Sequence, residues 1–361
     1  MRGPALTLKW RVLIGLAALV LPALDGSAAG AEKRFDGVVL RIGTWGGTNR
    51  DALQDAVGKN FEALGGKIEW VIGSPQDNFA KIAAARGRSE PPMDAFEILG
   101  SLVPEVIGRD MLAKLDYANI PNAKVLDPSQ VKDNLVATWT TQEMIVYNKT
   151  KFAELGLPVP HSLKDFADSR LAGRVMIPDI SSGGGLEAVG AFAITAGGDE
   201  ANIDPGLALI HSIPRVRFWK AGGDLVTAFK SGDVWLAMAH AGWAVRTNYA
   251  GVDVGTVPPV LGTHTGLVKE GWIGVVRGTK RQAAAEFYID SFLGVEAQYQ
   301  MAVKTGTFPV NPAAWPRLAD TPVIKDLMIL DPKAIGNMTK LDFAKINLSQ
   351  WNDRWNRTMS Q

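Results

Sequence analysis

The chain contains no cysteine, which excludes disulfides, zinc–thiolate sites and thiol nucleophiles. It also lacks the sequence motifs of a serine-hydrolase elbow, a zinc protease and a phosphate-binding loop. Histidine is scarce, and the few present are dispersed without metal-ligand spacing: His161, His211, His240 and His264. The sequence therefore predicts no metal, no cofactor and no catalytic residue.

An apolar run long enough to cross a membrane is also missing. Residues 12–24 are apolar, but these 13 residues fall short of the about 20 that a spanning helix needs. They follow the basic residues Arg2, Lys9 and Arg11 and precede the small residues 29–31. This layout predicts a secretory signal peptide at residues 1–31, cleaved after Ala31, and an exported, soluble mature protein. The alternative is an uncleaved N-terminal anchor.

The charge shows no excess of either sign. The whole chain has 38 basic and 37 acidic residues, and the predicted signal peptide removes three bases and one acid. Nucleic-acid binding favours a strongly basic domain, so no nucleic-acid partner is expected. The length after cleavage exceeds the usual size of one core and favours two domains.

Short apolar strands alternate with helical spacing along the chain. The pattern predicts strands at residues 38–42, 68–72, 94–99, 138–147, 175–177, 234–239 and 272–276. It predicts helices at residues 51–64, 78–86, 163–168, 186–195, 224–230 and 281–303, and another from Trp243. This alternation is typical of an α/β protein with parallel sheets flanked by helices.

Four segments carry a resemblance to a known family. They are residues 44–47 (TWGG), 141–152 (TQEMIVYNKTKF), 229–238 (FKSGDVWLAM) and 306–312 (GTFPVNP). In this order and spacing the chain resembles the periplasmic solute-binding proteins of ABC importers, specifically the spermidine/putrescine-binding type.

The resemblance implies a two-lobed type II periplasmic-binding fold, with a mostly parallel sheet in each lobe and the ligand in the cleft between them. Lobe 1 would comprise residues 34–139 and 260–312, and lobe 2 residues 140–259. Residues 313–361 would form helices that pack across the lobes.

The resemblance also suggests which residues line the cleft in the first part of the chain. Trp45 matches a position where polyamine binders place an aromatic ring, whose face attracts an ammonium group by ~0.5–2 kcal/mol. Ser181, Ser182 and Gly183 open a helix, and free N–H groups at a helix N-terminus favour an anion. Polyamine binders carry acidic residues in that region, so whether this loop meets a carboxylate or an amine stays open.

Four further candidates lie at strand ends later in the chain. His240 falls where polyamine binders have a tryptophan, and Trp243 follows in the next helix. Polyamine binders then carry an aromatic residue and an aspartate, but Gly271 stands at the aspartate position. Glu270 and Trp272 are the expected substitutes. A purely structural role is the alternative for each of these residues.

The resemblance implies a monomeric receptor that delivers a small molecule to an ABC permease and its ATPase. The expected ligand is a polyamine or related amine, and the alternative is an amino-acid-like or phosphonate-like zwitterion or anion. A sensor-only receptor is a further alternative. A periplasmic enzyme would need a nucleophile–base pair, which the sequence motifs do not supply.

Overall fold

The computed structural model describes residues 34–360 together with Met1, so the predicted signal peptide lies outside the described residues. The strands are β1 (Val39–Thr44), β2 (Lys67–Ile72), β3 (Ala95–Leu99), β4 (Val136–Asn148), β5 (Val175–Pro178), β6 (Arg217–Trp219), β7 (Leu236–His240), β8 (Val254–Val257), β9 (Val260–Leu261), β10 (His264–Thr265) and β11 (Leu267–Val275).

Nine of these strands form one sheet in the order β2-β1-β3-β11-β4-β7-β5-β6, with β8 also paired to β4. The first half, β2-β1-β3, is parallel, and so is the second half, β7-β5-β6. The central strands β4 and β11 run antiparallel to each other and to their neighbours. The two parallel halves therefore meet through two long antiparallel strands.

The helices cover both halves of the sheet. They are α1 (Thr48–Leu53), α2 (Lys59–Ala63), α3 (Pro75–Ala84), α4 (Val103–Gly108), α5 (Lys149–Glu154), α6 (Gly185–Thr195), α7 (Asp204–His211), α8 (Gly222–Lys230), α9 (Ala241–Tyr249), α10 (Gln282–Leu293), α11 (Val295–Thr305), α12 (Trp315–Ala319), α13 (Pro322–Leu327), α14 (Pro332–Gly336) and α15 (Leu348–Met359). None of the helices described is long and apolar enough to cross a membrane.

Three predicted helices differ from those observed. The segment predicted as one helix at residues 51–64 contains a π-helical stretch, Gln54–Gly58, between α1 and α2. The segment at residues 281–303 is two helices, because Gly294 has an extended backbone at ψ 145° and interrupts them. The helix predicted at residues 163–168 is a short 3₁₀ helix, Leu163–Ala167.

Buried apolar residues form separate groups in the two halves. One group joins β1 and β3 to α10 and α11. Another packs β5 and β7 against α6 and α7, and Trp351 and Trp355 of α15 join it. A third lies on the opposite face of β7, against α8, α9 and α13. The lobe boundaries given by the resemblance remain a prediction.

Candidate functional site

A band of buried polar residues lies on β4, where the two halves of the sheet meet. Its members are consecutive except for one position: Thr138, Thr140, Thr141, Gln142 and Glu143. Burying polar groups costs free energy unless they find partners. Such a band is therefore expected where side chains hold one another in place or face a ligand.

Glu143 lies in a buried ion pair with Lys269 of β11. The carboxylate is 3.3 Å from the lysine Nζ, and the Thr141 hydroxyl donates to the carboxylate at 3.0 Å. Lys269 also donates to the carbonyl oxygen of Gly183 at 2.8 Å, in the turn that leads into α6. The lysine thus connects both central strands to the start of α6.

A second carboxylate, Glu187, is buried in the first turn of α6 beside this pair. Burial raises its pKa to about 7, although the charge of Lys269 acts in the opposite direction. Burial also disfavours the charge on Lys269, but Glu143 and Glu187 outweigh it and raise the lysine pKa. Near neutral pH this group therefore contains a stable ion pair and one carboxyl close to its titration point.

Glu97 of β3 is buried in the first half of the sheet, next to Trp139. It accepts hydrogen bonds from Trp139 Nε1 at 3.1 Å, from Asn49 Nδ2 at 3.1 Å and from the Thr44 hydroxyl. Burial raises its pKa, and these three donors offset part of that effect. The Trp45 ring lies 5.9 Å from the Trp139 ring and is partly exposed. Among the described residues no cation pairs with Glu97.

His240 and Trp243 lie at the carboxyl end of β7 in the second half. The His240 Nδ1 accepts the backbone N–H of Gly242 at 3.1 Å, and its ring is 5.5 Å from that of Trp243. The guanidinium of Arg246 lies 4.2 Å from the Trp243 ring centroid. Burial, followed by the charges of Lys269 and Arg246, holds the pKa of His240 well below its ordinary value. His240 is therefore neutral at pH 7.

A cavity of about 310 Å³ opens beside β11. Its wall includes Lys269, Glu187, Glu270 and Trp272. Glu270 forms an ion pair with Lys340 at 2.8 Å. Trp272 is buried in the core of the first half, with the Lys132 ammonium 5.2 Å from its ring.

Seven of the eight predicted site residues fall into three neighbourhoods. Ser182 and Gly183 lie beside Lys269, and Ser182 is buried, with its hydroxyl accepting from the Gly184 N–H at 3.4 Å. Ser181 is exposed and donates to Asp179 at 2.6 Å. His240 and Trp243 form a second neighbourhood, and Glu270 and Trp272 share the cavity wall. Trp45 follows the end of β1, and its ring lies 5.9 Å from that of Trp139.

Sequence reasoning missed several buried charged groups in these neighbourhoods. Glu97 lies in an otherwise apolar strand and Glu187 in an otherwise apolar helix, and a carboxylate in such a run is a usable signal. Glu143 instead ends a run of polar residues in β4. Arg246 stands three residues after Trp243, the spacing of neighbours on one helix face. Among the described residues, no cluster of three histidines or carboxylates could hold a metal ion.

Two α/β halves joined by central strands, with polar side chains collected where they meet, form the two-lobed fold of periplasmic solute-binding proteins. The model of the bacterial extracellular solute-binding protein family matches residues 52–327. The chain belongs to this family. Its members are transport components of ABC systems that bind a small molecule and work with a membrane permease and an ATPase.

Individual relatives are distant. A gamma-aminobutyric acid-binding protein of Pseudomonas aeruginosa is 23% identical over 277 residues, which cover 74% of this chain and 75% of the relative. A structure described as the Atu4243-GABA receptor has a TM-score of 0.72 and 22% identity, with 89% of this chain and 96% of that chain covered. A spermidine/putrescine-binding protein of Streptococcus pneumoniae has a TM-score of 0.70 and 15% identity, covering 90% and 98%. At these identities the structures establish the shared fold.

Proposed function

We propose that this receptor captures a small organic amine, and that the amine belongs to an amino-acid-like zwitterion. The observation that carries the proposal is the arrangement of Trp45, Trp139 and Glu97 beside the carboxyl end of β1. The partly exposed Trp45 ring lies 5.9 Å from the Trp139 ring, and Trp139 Nε1 donates to the buried Glu97. An exposed indole close to a carboxyl group that has no cation among the described residues is an environment that attracts an ammonium group.

The charge state of Glu97 supports an amine at this place. Its raised pKa reflects burial without a positive partner. A bound ammonium would stabilise the ionised carboxylate and be attracted to it in return. An anionic group would gain no such attraction from Glu97, so the proposal assigns the amine end of the ligand to this side.

The zwitterion is favoured over a polyamine because of Arg246 in the second half of the sheet. Its guanidinium acts on the neutral His240 and forms no ion pair among the described residues, so it favours a carboxylate. Two of the relatives are named for gamma-aminobutyric acid, which carries an amine and a carboxylate at its two ends. The same ligand class is proposed for this chain.

A polyamine remains the second candidate, and Glu187 is the residue that favours it. This carboxyl has no cation of its own, because Lys269 is paired with Glu143. An amine reaching Glu187 from the 310 Å³ cavity would ionise it. The spermidine/putrescine-binding structure agrees with this alternative at the level of the fold.

Calorimetry and thermal shift with matched small molecules test the proposal. The probes are 4-aminobutanoate, 1,4-diaminobutane, spermidine and butanoate, which lacks an amine. We expect 4-aminobutanoate to bind, and at 100 times its Kd to stabilise the protein by ~2.7 kcal/mol. Tight binding of the two polyamines alone would favour the second candidate.

A substitution at Trp45 connects binding to the proposed amine site. Trp45→Ala should weaken amine binding by ~1–3 kcal/mol, because cation–π attraction and apolar burial are both lost. Trp45→Phe keeps an aromatic face and is the matched control, with a smaller loss. Amine affinity unchanged by Trp45→Ala would contradict this placement of the amine.

A further inference from the structure

At the carboxyl ends of β6 and β7, the side chains of Trp219 and His240 both lie near the Trp243 ring. Trp219 ends β6, His240 ends β7 and Trp243 lies in the first turn of α9. The Trp243 ring is 6.4 Å from that of Trp219 and 5.5 Å from that of His240. In open α/β sheets, ligands bind beyond the carboxyl ends of strands.

Arg246 reaches the same place from one turn further along α9. Long side chains on a helix point back towards its N-terminus, and the Arg246 guanidinium accordingly lies 4.2 Å from the Trp243 ring centroid. In residues 34–360 no carboxylate forms an ion pair with it. Burial lowers its pKa to about 10, so the guanidinium stays charged at neutral pH.

Hydrogen-bond donors surround Trp243 without matching acceptors. The Nε atom of Arg246 and the Nε1 atom of Trp219 are both buried, and neither has a partner in the described part of the chain. The Nδ1 of His240 accepts the Gly242 N–H, so the neutral ring carries its proton on Nε2. Three different side chains thus offer donors, and two of these donors are buried and unused.

Buried donors without acceptors are costly, and buried polar groups in native proteins are normally paired. A negatively charged group would pair them and neutralise Arg246. The carboxylate nearest along the sheet cannot do so, because Glu143, which faces His240 in the strand register, is paired with Lys269.

We infer that Arg246, Trp219 and His240 form an anion subsite around Trp243 and that this subsite binds the carboxylate of the ligand. This inference rests on the proposed function, since it supplies the second end of the zwitterion. The chemistry fits a planar carboxylate, because a guanidinium presents two parallel N–H donors. The subsite then distinguishes an amino acid from a diamine of the same length.

The alternative role for Arg246 is structural, as a cation stacked on Trp243. A structural role predicts that substitution lowers stability and weakens all ligands equally. A carboxylate partner predicts a loss that depends on ligand charge. Two probes of equal length separate these readings: 4-aminobutanoate, which has the carboxylate, and 1,4-diaminobutane, which does not.

The first experiment is calorimetry on Arg246→Met and Arg246→Lys. We expect Arg246→Met to weaken 4-aminobutanoate on the order of 10- to 100-fold, the effect of losing charged hydrogen bonds, while 1,4-diaminobutane is unaffected or improves. Arg246→Lys should recover part of the affinity, because it keeps the charge. Equal losses for both probes, or no loss for 4-aminobutanoate, would overturn the inference.

The second experiment does not depend on an amine. Butanoate is titrated into the wild-type protein while the ¹⁵N–H signals of Arg246 Nε and Trp219 Nε1 are followed by NMR, with assignment from Arg246→Lys and Trp219→Phe. Saturable shifts of both signals support the anion subsite. If no amine binds in that case, the proposed amine ligand is wrong while the subsite stands. Absence of shifts at saturating butanoate overturns the subsite even if amines bind.

Discussion

Glu143 and Lys269 form an ion pair across the two central strands, with 3.3 Å between the carboxylate and the ammonium and side-chain exposures of only 2% and 5%. The lysine is also bonded to the Gly183 carbonyl oxygen. Breaking a buried pair leaves one charge in a poorly solvated place, which costs more than the pair itself contributes. Removing either member of the pair is therefore expected to destabilise the folded protein strongly.

Lys269→Met should lower the free energy of unfolding by ~3–5 kcal/mol, because Glu143 would remain buried without a counter-charge. Urea unfolding measures the change. The double substitution Glu143→Gln with Lys269→Met removes both charges and should restore much of the loss. If the single and double variants are equally unstable, packing rather than charge explains the effect.

Glu187 makes stability depend on pH between about 4.5 and 7. Its pKa is about 7 in the folded protein against 4.5 for an ordinary glutamate, so the folded state holds a proton that the unfolded chain has released. Folding stability consequently falls as pH rises through this window. Glu187→Gln should abolish that loss and leave the variant about 3 kcal/mol more stable than wild type at pH 8, at about 1.4 kcal/mol per pKa unit.

The Glu187 test compares the free energy of unfolding of Glu187→Gln with that of the wild-type protein at each pH. His240 has a lowered pKa, so it destabilises both proteins as pH falls below about 6.5, and this contribution cancels in the difference. Urea unfolding at pH 5 and pH 8 is sufficient. A difference between variant and wild type that stays constant over this range would show that Glu187 does not titrate there.

Gly222 and Gly223, adjacent at the start of α8, should respond in opposite ways to alanine. A Cβ at Gly222 would collide with the Trp243 ring, whereas one at Gly223 meets nothing within 4 Å. Gly222→Ala should cost ~1–3 kcal/mol through overpacking and should weaken ligand binding by displacing Trp243. Gly223→Ala should be neutral or stabilising by ~0.5–1 kcal/mol. Thermal melts and calorimetry on the pair provide the comparison, and matched behaviour would place Trp243 outside the binding site.

The mature chain should begin at or near Glu32. The basic, apolar and small-residue segments of residues 1–31 predict this cleavage. Intact-mass measurement on protein from the periplasmic fraction checks it. Recovery of Met1 in a membrane fraction would support the uncleaved anchor instead.

The longer strands and many of the helices could be predicted because they depend on local patterns. The short strands β6, β8, β9 and β10 and the helices α4, α5 and α7 were not predicted. Apolar runs and helical spacing indicate the parallel halves, and the mixed α/β fold is confirmed. Interruptions within helices were harder to predict. The extended backbone at Gly294 separates two helices that share one apolar pattern, and the pattern alone cannot locate such a break.

Sequence reasoning could propose site residues only at strand ends, and their contact with a ligand remains a prediction. Trp45, His240 and Trp243 follow strands, and their positions are visible in the sequence. The partnership of Glu143 with Lys269 is not, since residues so far apart in the chain meet only through strand pairing. The same holds for Glu97 and Trp139, which meet across β3, β11 and β4.

The pairing of Leu99 in β3 with Gly271 in β11 has a consequence for the order of folding. The first half of the sheet cannot be completed until β11 joins it, although β3 ends at Leu99 and β11 begins only at Leu267. Contacts so distant in sequence slow folding. A chain truncated before β11 would leave the edges of β3 and β4 open to association with other chains. Because β11 comes late in the sequence, the first half of the sheet stays incomplete, and accessible to proteases, until this strand has paired with β3.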